Sequence, residues 1–100
     1  MKGQKAEERV ANSLRRAGAS VELSPGSRGS ADVIGLWPSG KKWLLQVKSS
    51  SKGQPAGLTQ REQKNLTARA DRNNATPVLV QVTPKKIEYT SAKDGRTLKP

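Results

Sequence analysis

The stretch that decides the fold runs from residue 31 to residue 49 and reads ADVIGLWPSGKKWLLQVKS. Two runs rich in strand-forming residues, 31–37 and 41–49, flank a Pro-Ser-Gly turn. A three-residue hairpin loop is commonly a type I turn followed by a residue in the left-handed region, which suits Pro38 at its start and Gly40 at its end. The stretch therefore predicts a β-hairpin.

The register of this hairpin predicts which side chains share a face of the sheet. The loop pairs Trp37 with Lys41, and the same register pairs Asp32 with Gln46. Because side chains alternate between the two faces of a strand, Lys48 lies on the same face as Asp32 and Gln46. The opposite face is expected to be apolar and carries Val33, Trp43, Leu45 and Val47.

Burial of an acid, an amide and an amine on one face of two central strands costs free energy, which indicates that these groups serve a function. The chemistry that suits them is metal-assisted phosphodiester hydrolysis. Asp32 would bind a divalent cation, and the neutral side-chain oxygen of Gln46 would be a second, weaker ligand. Lys48 would orient the attacking water or offset charge on the transition state. The alternative is a solvated sheet face with an Asp–Lys cross-strand pair.

A helix predicted before the hairpin supplies one more acid. Residues 4–17 carry apolar side chains at helical spacing, and Gly18 follows as a C-cap. Glu7 falls on the apolar side of this helix, which is unusual for an acid. We expect the helix to pack on the face of Asp32, where Glu7 would complete the metal site. The alternative is a first-turn glutamate favoured by the helix dipole.

The remaining segments predict one α/β domain with a mixed sheet and flanking helices. A capping box, Thr-x-x-Glu at 59–62, opens a second helix that runs to about residue 73. Residues 91–100 carry little periodicity, so we expect a single domain over residues 1–90 and a C-terminal tail, for which a flexible state is an open alternative. Further short strands are predicted at 21–23, 78–82 and 87–90.

Composition narrows the function classes. The net charge of +11, from 19 basic and 8 acidic residues, favours a polyanionic partner, with nucleic acid first and an anionic membrane second. No apolar run approaches the ~18 residues of a spanning helix, and no signal-peptide pattern opens the chain, so we expect a soluble cytoplasmic protein. Cysteine and histidine are both absent, which leaves oxygen ligands for any metal and suits Mg²⁺ or Mn²⁺.

The apolar content is low for a folded domain. Leu, Ile, Val and Phe together make 18 of the 100 residues, which with a high net charge is a signature of disorder. The apolar residues are nevertheless clustered and periodic, which favours a fold. A core this thin is marginal for an isolated domain, so we expect a homodimer.

Five short motifs occur along the chain in an order that can be compared with known families. They are Lys2-Gly3 with Glu7, Gly26-Ser27, Asp32, Gln46 with Lys48, and Arg61-Glu62-Gln63. This order resembles the PD-(D/E)XK nucleases and, among them, the archaeal-type Holliday junction resolvases called Hjc. That family has a Lys-Gly-x-x-x-Glu helix, a Gly-Ser loop, an Asp strand, a Glu-x-Lys strand and a helix with an Arg-Glu-Gln start. The resemblance covers about residues 2–82.

The resemblance implies a restriction-endonuclease-like fold and a homodimer that resolves four-way junctions by paired phosphodiester hydrolysis with Mg²⁺ or Mn²⁺. Ser27 matches a serine in a mobile loop implicated in cleavage, with Ser30 as the alternative. Gln46 departs from the usual Glu and removes one negative charge from the site. A minimal phage-borne member, acting in the host cytoplasm, would have this form. The metal positions of the family map onto Glu7, Asp32 and Gln46, and its catalytic lysine maps onto Lys48.

The basic residues fit a DNA substrate. Such side chains contact phosphates without reading sequence. Aromatic residues make only 3% of the chain, so single-strand recognition by stacking is poorly supported and a branched duplex is the better candidate. Two rivals stay open: another repair or restriction-like nuclease of the same fold, and a non-catalytic basic DNA-binding protein with a decayed site. The predicted DNA contacts are Lys2, Lys5, Arg15, Arg28, Lys52, Arg61 and Lys64.

Overall fold

The computed structural model describes the backbone of residues 3–24, 31–53 and 55–100, and the side chains of residues 6–23, 33–53 and 55–100. The described residues form two helices, each followed by three strands. In chain order they are α1 (Gly3–Arg16), β1 (Ser20–Ser24), β2 (Ala31–Leu36), β3 (Lys42–Ser49), α2 (Gln60–Arg72), β4 (Thr76–Val82), β5 (Ile87–Ser91) and β6 (Thr97–Leu98).

The central hairpin forms as its sequence predicts. The Trp37 N–H donates to the Lys41 carbonyl at 2.9 Å, and the Gly40 N–H donates to the Trp37 carbonyl at 2.9 Å. Gly40 has a φ of +97°, the left-handed conformation that favours glycine at this position. The resulting register pairs Asp32 with Gln46. The predicted hairpin and its register are confirmed.

The six strands form one mixed sheet in the order β1-β2-β3-β4-β5-β6. Neighbours are antiparallel except for β3 and β4, which are parallel. A parallel pair needs a crossover connection, and α2 lies between these two strands in the chain. The predicted α/β class with a mixed sheet and flanking helices is confirmed.

One face of the sheet carries the main core. On α1, Val10 and Leu14 are fully buried and pack with Val33 and Leu45 of the hairpin. The two tryptophans of the hairpin lie edge to face, with ring centroids 5.0 Å apart. The buried members of this core are Ala6, Val10, Leu14, Ala19, Val33, Trp37, Trp43, Leu45, Val47, Val78, Val80, Val82 and Tyr89.

The other face carries a smaller cluster of Leu44, Leu66 and Ala70, so α2 covers this face. The face is the one that also holds Gln46, because Leu44 and Gln46 are two residues apart on β3. The prediction that the helix carrying Glu7 packs on this face is wrong. The reason is that the apolar stripe of α1, with Val10 and Leu14, packs with the apolar face of the hairpin, which carries Val33 and Leu45.

The sheet extends beyond the predicted domain boundary at residue 90. Within the expected tail, β6 pairs with β5, and Leu98 packs against the main core. The Ala92 N–H also donates to the Pro77 carbonyl at 2.9 Å. A strand of two residues is too short to show periodicity, so the sequence could not reveal it. In the described part of the chain, no helix has the length and apolar content needed to cross a membrane.

Candidate functional site

Gln46 is a buried polar side chain in the middle of the sheet, with 6% of its surface exposed. Its Nε2 donates to Glu62 Oε2 at 3.2 Å. Burial of an amide is unfavourable without a hydrogen bond, so this contact offsets the desolvation of Gln46. The partner lies on α2, and Gln46 therefore ties β3 to the helix that covers it.

Lys48 points to the same carboxylate. Its Nζ donates to Glu62 Oε2 at 2.6 Å, and both side chains are 26% exposed. A charge-assisted bond of this length is stronger than a neutral one, and partial burial limits its screening by salt. Lys48 is thus held in one place at the edge of the site.

The Glu62 carboxylate is fixed from its other side by the start of α2. The Thr59 N–H donates to Glu62 Oε1 at 3.0 Å, and the Glu62 N–H donates to Thr59 Oγ1 at 3.1 Å. This is the predicted capping box, with both of its bonds present. The hydrogen bond from Lys48, followed by the bond from the Thr59 backbone, lowers the pKa of Glu62 below its ordinary value. Glu62 is therefore a carboxylate at neutral pH.

A cleft opens beside Gln46 and Glu62. It encloses about 330 Å³ and is lined by Gln46 and Glu62 together with the α2 residues Asn65, Arg69 and Arg72. Leu66 and Ala68 complete the lining. Two arginines at one opening can take up a phosphate by charge-assisted hydrogen bonds.

Of the three predicted metal ligands, Asp32 and Gln46 are paired across β2 and β3, while Glu7 lies on α1. The backbone of Asp32 lies opposite Gln46, while its side chain is outside the described residues. Glu7 is half-buried on α1, whose core side packs on the other face of the sheet. The described residues contain no group of three or more acidic side chains that could hold a metal ion. The ligand set of Glu7, Asp32 and Gln46 stays a prediction.

The predicted loop serine and some of the predicted DNA contacts lie outside the described residues, and the other DNA contacts lie on the surface. Ser27, its alternative Ser30, Arg28 and Lys2 lie outside the described residues, as does the side chain of Lys5. The other four are exposed: Arg15 on α1, Lys52 in the loop after β3, and Arg61 and Lys64 on α2. Their exposure leaves them accessible to a ligand.

Sequence reasoning assigned Glu62 to the helix cap and missed its place at the site. The connection from Ser50 to Thr59 has no periodicity, so the sequence does not predict where α2 starts in space. One signal could have found it. The first turn of a crossover helix lies near the carboxyl end of the strand before it, and Lys48 is close to that end of β3.

Comparisons with known proteins find a likeness in structure and none in sequence. No protein-family model matches the chain, and no curated protein sequence matches it. Among solved structures, the fold is similar to that of Archaeoglobus fulgidus Hjc, a Holliday junction resolvase from an archaeal hyperthermophile. The TM-score is 0.79 at 18% identity, and the match covers 99% of this chain and 80% of that one. The resemblance to Hjc, and with it the PD-(D/E)XK-like fold, is confirmed at the level of structure.

Proposed function

We propose that this chain is a divalent-metal-dependent endonuclease that resolves four-way DNA junctions as a homodimer. One observation carries the proposal: on a fold shared with a Holliday junction resolvase, the hairpin register sets Asp32 opposite Gln46, two residues from Lys48. This is the arrangement of an acid, a second ligand position and a lysine that the strand motif requires. The fold alone does not define a function, so the residue types at these three positions carry the proposal.

The donor chemistry fits a hard divalent cation. Every nitrogen or sulfur ligand of the usual kind is excluded, because the sequence has no histidine or cysteine. The oxygens of Gln46, Asp32 and Glu7 are the atoms that would hold Mg²⁺ or Mn²⁺. Such an ion, when bound, polarises a phosphate and lowers the pKa of a ligated water.

Lys48 is suited to the charge that develops on the phosphate. Its ammonium donates to Glu62 at 2.6 Å, which fixes its position. The other donor hydrogens of the ammonium remain available to a phosphate. An ammonium held in advance next to the reacting phosphate stabilises the transition state, since no reorganisation is needed during the reaction. The cleft arginines, Arg69 and Arg72, would hold the DNA backbone at the same opening.

The charge and symmetry of the substrate fit the rest of the molecule. A surplus of +11 supports affinity for the phosphate-dense arms of a junction. A four-way junction needs two symmetric cuts, which a two-fold homodimer delivers from two identical sites. Ser27 matches a serine that the family uses in cleavage, and by that resemblance we propose that it takes part in the reaction.

The test is cleavage of a labelled four-way junction. The matched control is a linear duplex with the sequence of one arm, and each DNA is incubated with Mg²⁺ and with EDTA in its place. We expect paired cuts in the junction, dependent on Mg²⁺, and little cutting of the duplex. Equal cutting of both DNAs would instead favour a repair or restriction-like nuclease of the same fold.

One observation favours a second candidate, a non-catalytic DNA-binding protein. Gln46 is neutral and its amide is already hydrogen-bonded, which suits a structural role. The same cleavage assay separates the two, because this candidate binds the junction in Mg²⁺ and leaves all four strands intact.

A further inference from the structure

The Glu62 carboxylate is shared by the two β3 side chains that the proposed reaction uses. Lys48 Nζ lies 2.6 Å and Gln46 Nε2 lies 3.2 Å from the same oxygen, Oε2. We propose that Glu62 is a positioning residue of the site, which sets the place of the Lys48 ammonium and the orientation of the Gln46 amide. This inference rests on the proposed function and extends the site from the strands to α2.

The first part of the role concerns the Gln46 amide, which has a donor end and an acceptor end. Only the oxygen can bind a cation. An ionised carboxylate accepts hydrogen bonds and cannot donate them, so Glu62 selects the amide orientation with Nε2 toward itself. The amide oxygen of Gln46 therefore faces away from Glu62, as a ligand must. A neutral residue at position 62 would remove this selection.

The second part concerns Lys48, whose side chain has four rotatable bonds. A free lysine loses considerable side-chain entropy when it is held at one point. The bond to Glu62 fixes the ammonium before DNA arrives, which lowers the cost of placing it at the phosphate.

Glu62 acts through these neighbours, because three of the hydrogen bonds that its carboxylate accepts come from the protein itself. Oε1 accepts from the Thr59 backbone, and Oε2 accepts from Lys48 and Gln46. The carboxylate is also anchored by the helix that carries it, since Leu66 is buried one turn further along α2. A rigid residue of this kind can hold Lys48 and Gln46 in the geometry that binding and catalysis require.

The test uses Glu62→Gln, which removes the charge but keeps the capping box, since Gln serves equally at that position. Asp71→Asn is the matched control. It makes the same change of charge on the same helix, about 13 Å further along the axis. Thr59→Ala is a second control that weakens the helix cap and keeps the Glu62 charge.

The first readout needs neither metal nor DNA. The side-chain amide signals of Gln46 are followed by NMR in the metal-free protein and assigned through their loss in Gln46→Glu. We expect these signals to move in Glu62→Gln and to stay in place in Asp71→Asn. Signals that stay in place in Glu62→Gln would overturn the inference, because the amide would then not depend on the carboxylate.

The second readout is single-turnover cleavage of the junction in Mg²⁺, below the unfolding temperature of every variant. We expect Glu62→Gln to cut about 10- to 100-fold more slowly at nearly unchanged junction affinity, and both controls to cut close to the normal rate. Equal cleavage rates for Glu62→Gln and Asp71→Asn would overturn the role of Glu62 and leave the proposed function standing. A loss of rate in Thr59→Ala as large as that in Glu62→Gln would have the same consequence. If the unchanged protein cuts no junction at any Mg²⁺ concentration, the proposed function fails and this role fails with it.

Discussion

The Lys48 ammonium lies 2.6 Å from the Glu62 carboxylate, which joins the end of β3 to the first turn of α2. The two residues are on different elements and are separated by the long connection between them. Their ion pair closes one side of the site, and Gln46 donates to the same oxygen from the strand. The candidate site is therefore built by the sheet and the crossover helix together.

Gln46→Glu places a second carboxylate next to Glu62, where the present separation of the contacting atoms is 3.2 Å. In the absence of metal we expect the free energy of unfolding to fall by about 1–3 kcal/mol, because a hydrogen bond is replaced by repulsion between like charges. Added Mg²⁺ should restore the stability of the variant. The variant should also bind Mg²⁺ more tightly than the unchanged protein does, since a carboxylate attracts a hard cation more strongly than an amide.

The measurement for Gln46→Glu is thermal unfolding across a Mg²⁺ titration, compared with the unchanged protein. Adding Glu62→Gln to the variant should recover most of the loss, because the pair then again joins a donor and an acceptor. A variant as stable as the unchanged protein without metal would show that the two side chains do not interact.

Arg61 and Lys64 are exposed on α2 and are predicted to contact DNA phosphates. Replacing both with Ala should weaken junction binding and reduce the slope of log affinity against log salt by up to about 2, because each phosphate contact releases counterions. The matched control is Lys93→Ala with Arg96→Ala, since both of these residues are already in ion pairs with acids. The same slope in both double variants would remove Arg61 and Lys64 from the DNA interface.

Most of the fold can be predicted from the sequence because its signals are local. The Pro-Ser-Gly turn sets the hairpin register, and the alternation that follows separates the Gln46 face from the apolar Leu45 face. The capping box at Thr59 likewise defines the start of α2 to the residue. Each of these depends on contacts between residues close in the chain, which spacing reveals directly.

What could not be predicted depends on contacts between distant residues. The sequence gives α1 an apolar stripe but does not say which face of the sheet receives it, so the helix was predicted on the wrong face. Glu62 has two roles, a local one in the cap and a distant one at Lys48, and spacing reveals only the first. The short strand β6 exists because β5 is there to pair with it.

Tyr89 has a buried hydroxyl that makes no hydrogen bond of good geometry among the described residues, with the Ser13 side chain as its one weak partner there. Tyr89→Phe should leave the free energy of unfolding unchanged or raise it by about 1 kcal/mol, because a buried hydroxyl without a good hydrogen bond is destabilising.

Burial raises the pKa of Tyr89, so the tyrosine ionises in the unfolded chain before it does in the folded protein as pH rises. The folded protein should therefore lose stability above about pH 10, and the variant should lose less. Denaturant unfolding at neutral and alkaline pH compares the two proteins.

A homodimer is predicted because the substrate has two-fold symmetry and the core is thin. Light scattering at micromolar concentration should give twice the 10.8 kDa mass of the chain. Dilution should lower the rate of paired cuts more steeply than the rate of single nicks. A monomer mass with paired cutting intact would contradict this prediction.

The central claim is that the face carrying Asp32, Gln46 and Lys48 cuts DNA. The measurement that tests it most directly is single-turnover cleavage of a labelled four-way junction in Mg²⁺ by the unchanged chain and by Asp32→Asn, with junction affinity measured in parallel. We predict that Asp32→Asn binds the junction as well as the unchanged chain does, because basic residues supply the affinity, and cuts it on the order of 100-fold more slowly. Cutting by Asp32→Asn at the rate of the unchanged chain would contradict the claim.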